Sequence, residues 1–153
     1  MKVFGTLYRY WITLIWLAVV AQIASAAYGG FYAAQKLGDQ SGSDERKMIS
    51  EKTFAHGFGF HTAFGYLIFL GAVVLLLLAL AARPGKRGVL FALAVPVTVA
   101  VQIVLAWISG SVHAVGILHG LNALVVFGLT GYLTGEAWRA RRAANVAPAT
   151  PPG

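Results

Sequence analysis

The chain has 153 residues, of which 58% are hydrophobic and 11% charged, a balance too apolar for a water-soluble domain and typical of membrane proteins. A net charge of +7 would suggest a nucleic-acid partner in a soluble chain, but here the charges sort with the loops, which argues against that class. With no cysteine, disulfides, iron–sulfur clusters, thiolate zinc sites and covalent haem attachment are excluded, and histidine is left as the main metal-ligand type.

Four apolar stretches, at about residues 10–31, 54–82, 89–109 and 112–138, reach the ~20 residues a helix needs to span a bilayer. They predict an all-α fold: an integral membrane four-helix bundle over residues 1–142, followed by an Ala/Pro/Thr-rich disordered tail over 143–153. In the first stretch, Lys2 and Arg9 precede an apolar run ending in Ala24-Ser25-Ala26. This pattern also suits a cleaved signal peptide, and a retained helix is the reading adopted.

The connection from Lys36 to Lys52 is polar, with a helical extension of the second helix expected from near Ser50. Arg83-Pro84-Gly85-Lys86 predicts a tight turn after the second stretch. Pro96 predicts a kink in the third helix. Ser109-Gly110-Ser111 predicts a short turn that makes the third and fourth helices antiparallel neighbours.

Charge sets the expected topology. Lys2, Arg9, Arg83, Lys86, Arg87, Arg139, Arg141 and Arg142 fall at the two termini and in the second connection, with Glu136 the only acid among them. The first connection carries four basic and four acidic residues. By the positive-inside rule both termini are expected in the cytoplasm, which suits a multi-pass protein of the bacterial inner membrane.

The four histidines then lie toward the outer leaflet, as two matched pairs. His56 and His61 open the second stretch, and His113 and His119 open the fourth. His61 stands 22 residues before Arg83 and His119 stands 20 before Arg139, which at ~1.5 Å per residue puts them within roughly 3 Å in depth. An imidazole inside a membrane segment is a functional candidate.

Two neutral imidazoles facing each other across a macrocycle, with small residues one turn away, would suit a b-type haem. Gly65 and Ala123 lie one turn deeper than the pair, and Gly57 and Gly116 one turn above. Gln22, Gln102 and Asn122 are candidates to orient the rings. The plain alternative is that Gly116 and Gly120 form a GxxxG helix contact and that each histidine simply bonds to a neighbouring carbonyl or to Gln22 or Gln102.

The outer pair, His56 and His113, falls near the interface, where it can contact haem propionates, bind a divalent metal, shuttle protons to a quinone or merely be solvated. No nucleophile, paired carboxylate or phosphate-cradling loop stands out, so no catalytic residue is assigned. Gln22-Ile23 with Ala26 and Gly30 recurs as Gln102-Ile103 with Ala106 and Gly110, always 80 residues on, which suggests two tandem helical hairpins.

The segments His61-Thr62-Ala63-Phe64-Gly65-Tyr66, leading into a leucine-rich helix, and Leu118-His119-Gly120-Leu121-Asn122-Ala123 resemble a family of small four-helix bacterial membrane proteins common in actinobacteria. Over residues 10 to 140 the layout is also similar to one half of haem A synthase, whose four-helix halves each hold a haem between histidines of the second and fourth helices. That resemblance implies His61 and His119 as axial ligands of the haem iron. The enzyme's catalytic glutamate stands shortly before the first histidine; Glu51 is ten residues before His61 and departs from that pattern. With one half present, the enzyme's oxidising chemistry is not implied unless the chain forms a homo-oligomer.

The expectation is therefore single-electron transfer through haem b near the outer leaflet, with quinone or a redox partner protein. The competing expectation is a non-redox accessory or small-ligand protein whose histidines are structural or hold zinc or copper.

Overall fold

The computed structural model describes residues 2–39 and 50–146. They form four helices, α1 (Lys2–Gly38), α2 (Glu51–Ala82), α3 (Lys86–Ser109) and α4 (Val115–Val146), with no strand among the described residues. All four are long and apolar enough to cross a membrane. Large apolar side chains such as Leu67, Leu70, Leu77 and Leu124 face outward, as they would toward lipid.

The helices overrun several of the expected limits. α1 starts eight residues before its apolar stretch, because once a helix is nucleated each further residue adds a backbone bond. At the other end of the chain, α4 continues through Ala143-Ala144-Asn145 to Val146, so the start of the expected tail is helical. The rest of that tail, residues 147–153, and residues 40–49 of the first connection lie outside the described residues.

α2 begins near Ser50 as expected, and Ser50 caps it: its Oγ accepts the Thr53 amide at 3.1 Å. The second connection is a three-residue turn in which Arg83 adopts the left-handed conformation (φ 54°) and donates its amide to the Ala79 carbonyl, while Gly85 takes φ 88°. Pro96 sits buried inside α3.

The third connection corrects the reading of His113. The amides of Ser111 and Val112 both bond the Ile108 carbonyl, so the chain turns through residues 110–114 and α4 begins only at Val115. His113 belongs to that turn, where its carbonyl accepts the Gly116 amide at 3.0 Å.

Each helix packs on its two neighbours in the order α1, α2, α3, α4 and back to α1, and the backbones of neither diagonal pair approach each other closely among the described residues. This is an up-down-up-down bundle. Its centre is a layer with one fully buried side chain from each helix, Ile12, Leu75, Val95 and Thr130. Small neighbours, Ala72, Ala79 and Ala92, let the helices close around it. All of this core lies on the basic-turn side of His61 and His119, so the bundle is solid in one half and open in the other.

Candidate functional site

The open half holds a cavity of about 700 Å³ lined by all four helices. Volumes of this order are typical of ligand and cofactor sites. His61 from α2 and His119 from α4 both face it, together with Gln22, Gly65, Gln102 and Ala123. Because α2 and α4 are diagonal, nothing of their backbones fills the space between the two rings. The ring centres are 6.5 Å apart, with the planes at 65°.

Each ring is held by the same device. Gln22 Nε2 donates to the His61 carbonyl at 2.7 Å, and His61 Nδ1 lies 3.1 Å from the Gln22 carbonyl. On the other side, Gln102 Nε2 donates to the His119 carbonyl at 3.0 Å, and His119 Nδ1 lies 3.1 Å from the Gln102 carbonyl. A carbonyl only accepts, so Nδ1 carries the proton in both rings and the lone pair is on Nε2. That tautomer, fixed by a backbone carbonyl, is the one metal-ligating histidines commonly adopt.

The two halves are not identical. Ser25 Oγ donates to the Gln22 carbonyl at 2.8 Å and comes within 3.1 Å of His61 Nδ1, a contact with no counterpart at His119. Asn122 Nδ2 donates to Gln102 Oε1 at 2.6 Å and to the Thr98 carbonyl at 3.0 Å. Phe64 occupies the corresponding position on α2, and Gln22 Oε1 is left buried without a partner. Gln102 Nε2 also lies 3.1 Å from His119 Nε2, so that amide must turn aside before His119 can bind anything through its lone pair.

The small residues divide. Gly65 and Ala123 line the cavity, and a Cβ on Gly65 would lie 3.0 Å from Gln22 Nε2, so its missing side chain also makes room for the amide. Gly57 faces α1: a Cβ there would come within 3.2 Å of the Gly29 carbonyl, and this close backbone approach is its role. Gly116 corrects the sequence reading. It is exposed, outside the cavity, and neither it nor Gly120 has a neighbour within 4 Å of a built Cβ, so the pair makes no close helix contact among the described residues.

The outer histidines are also apart from the cavity. His56 is exposed and its ring centre lies 4.9 Å from that of Tyr32, while His113 is exposed in the turn before α4. Among the described residues no group of three or more His, Asp and Glu side chains converges. Sequence reasoning missed Tyr66 and Trp107, which line the cavity and bond across α2 and α3, Trp107 Nε1 to Tyr66 Oη at 3.1 Å. Each looks like an ordinary interfacial aromatic in isolation, so no sequence signal singled them out. Compared with protein-family models, characterised proteins and solved structures, the chain matches none.

Proposed function

We propose that this chain is a multi-pass protein of the bacterial inner membrane, with both termini in the cytoplasm, that holds one b-type haem between His61 and His119. It passes single electrons near the outer face, to or from quinone or a redox protein. The observation that carries the reading is the pair of imidazoles with ring centres 6.5 Å apart on opposite sides of a cavity of about 700 Å³. An imidazole nitrogen binds a metal at about 2 Å and lies about 1 Å from its ring centre, so two rings on one iron have centres roughly 6 Å apart.

The ligand set favours a macrocycle over a bare ion. A zinc or copper site draws three or four donors from the protein, and the two rings have no third partner of that kind among the described residues. A porphyrin would bring four nitrogens of its own and ask only one or two donors of the protein, which His61 and His119 would supply. When bound, such a group supplies one-electron oxidation and reduction. The backbone carbonyls of Gln22 and Gln102 hold Nδ1–H of the two rings and so put each lone pair on Nε2, which at His119 becomes free when the Gln102 amide turns aside; the rest of the lining is mostly apolar.

One observation favours a second reading. Both nitrogens of His119 are already occupied by Gln102, as they would be if the Gln/His pairs only lock α1 to α2 and α3 to α4 around a cavity for an apolar ligand.

An absorption spectrum of protein expressed with haem supply decides between them. A low-spin b-type spectrum that is lost in His61→Ala and in His119→Ala is the expected result, with retention in His56→Ala and His113→Ala. Full haem content in both inner variants, or colourless wild-type protein, removes the haem reading.

A further inference from the structure

At the end of the bundle opposite the cavity, Arg9 is set in an aromatic corner between α1 and α4. Its guanidinium carbon lies 5.8 Å from the Tyr10 ring centre and 5.3 Å from that of Trp138. The two rings meet edge to face at 5.5 Å. Trp138 is fixed in turn, because its Nε1 donates to Thr13 Oγ1 at 3.0 Å and that hydroxyl donates to the Arg9 carbonyl at 2.9 Å. Trp138 is therefore anchored before any ligand arrives, and Tyr10 rests against its edge.

The cation in it is incompletely satisfied. A guanidinium has five N–H donors. Nη2 reaches Thr6 Oγ1 at 3.3 Å, and Nε is buried with no partner. Among the described residues no carboxylate lies within ion-pair distance, since Glu136, the nearby acid on α4, pairs with Arg139. Tyr10 and Trp138 are the residue types that mark the headgroup level of a membrane, and arginine's planar fork matches a phosphate in two-point contact.

From the incompletely satisfied guanidinium, the anchored Trp138 with Tyr10 against its edge and the absence of a carboxylate, we infer that Arg9, Thr6, Tyr10 and Trp138 form a binding site for the phosphate of an anionic glycerophospholipid. The guanidinium and the Thr6 hydroxyl would hold the phosphate oxygens, while the rings cover the glycerol and the upper acyl chains. The site lies among the basic residues that face one leaflet, which favours a lipid of net negative charge over a zwitterionic one. It does not depend on what the cavity binds.

The test uses the full-length protein, purified and washed free of loose lipid, then titrated with phosphatidylglycerol or phosphatidylcholine and analysed by native mass spectrometry. The wild type is expected to retain one phosphatidylglycerol against competing inorganic phosphate, and to bind phosphatidylcholine more weakly. Arg9→Gln is expected to weaken retention about tenfold, as loss of one charge-assisted two-point contact would. Trp138→Leu, which keeps every charge, should weaken it about threefold through loss of the covering ring, whereas Arg87→Gln, at a guanidinium over Phe91 at the start of α3, should leave it unchanged. Equal retention by Arg9→Gln, or no effect of Trp138→Leu should the first variant fail to fold, overturns the site. Displacement by inorganic phosphate at comparable concentration overturns the lipid assignment.

Discussion

Gln22 and His61 hold each other by two bonds that run in opposite directions, amide to carbonyl at 2.7 Å and ring nitrogen to carbonyl at 3.1 Å. The pair joins two helices and fixes a tautomer at once. Gln102 and His119 repeat it across the bundle, so the internal echo of the sequence at an offset of 80 corresponds to a repeated piece of bonding.

The repeat makes the glutamines separable in their effects. Gln22→Leu leaves the His61 carbonyl without its side-chain donor but removes an unpaired buried oxygen at the same time. Gln102→Leu removes the side-chain donor at the His119 carbonyl and at His119 Nε2 and the acceptor of one Asn122 bond, with nothing gained, and leaves the bond from His119 Nδ1 to the backbone carbonyl in place. Interhelical hydrogen bonds in membranes are worth about 0.6 kcal/mol each. Thermal unfolding in detergent should therefore show a loss under about 1 kcal/mol for Gln22→Leu and roughly twice that for Gln102→Leu. Equal losses would mean that the Asn122 bond and the Oε1 burial carry no weight.

Much of this site was legible in the sequence because polar groups in an apolar run have few places to go. His61 and His119 were matched in depth by counting to Arg83 and Arg139, and the glutamines stood out against the residues around them. What the sequence did not specify was helix rotation. Gly57 and Gly65 share the face of His61 by spacing, yet Gly57 is turned onto Gly29 while Gly65 borders the cavity, because the close α1 to α2 approach fixes the angle. The start of α4 was misplaced for a related reason: Val112 and His113 continue the apolar pattern, and only the backbone bonds to Ile108 show that the chain is still turning there.

That close approach can be tested with two adjacent residues. A Cβ on Gly29 would lie 2.6 Å from the Phe58 ring and 2.8 Å from the Gly57 carbonyl, and the backbone atom cannot yield. One on Gly30 would meet nothing within 4 Å. Gly29→Ala should destabilise by about 1–3 kcal/mol, the usual range for overpacking, and Gly30→Ala should be neutral or slightly stabilising. Matching melting temperatures for the two variants would show that α1 and α2 are farther apart in the membrane.

Topology follows from charge. Eight basic residues against one acid mark the termini and the second connection, and four spans put both termini on the same side. Reporters fused at either end and active only in the cytoplasm should both be active. Activity of an outside-only reporter at the C-terminus would reverse the bundle and bring the cavity to the inner leaflet.

The cavity residues distinguish a flat cofactor from a small ion. Ala123→Leu adds three carbons to a wall of the space between the rings, while leaving His61 and His119 and all their bonds in place. Gly65→Leu acts twice, since its first carbon already presses on Gln22 Nε2 at 3.0 Å and the rest enters the same space. Both substitutions are apolar and favour helix, so membrane insertion is preserved. Gly128→Leu, at a position where a Cβ meets nothing within 4 Å, controls for the added bulk. Haem per folded protein should fall severalfold in Ala123→Leu, further in Gly65→Leu, and not at all in the control. A bare zinc or copper ion held by the two rings is nearly indifferent to leucine one turn away, so metal that stays at wild-type levels in all three variants while haem is absent would transfer the site to the non-redox reading.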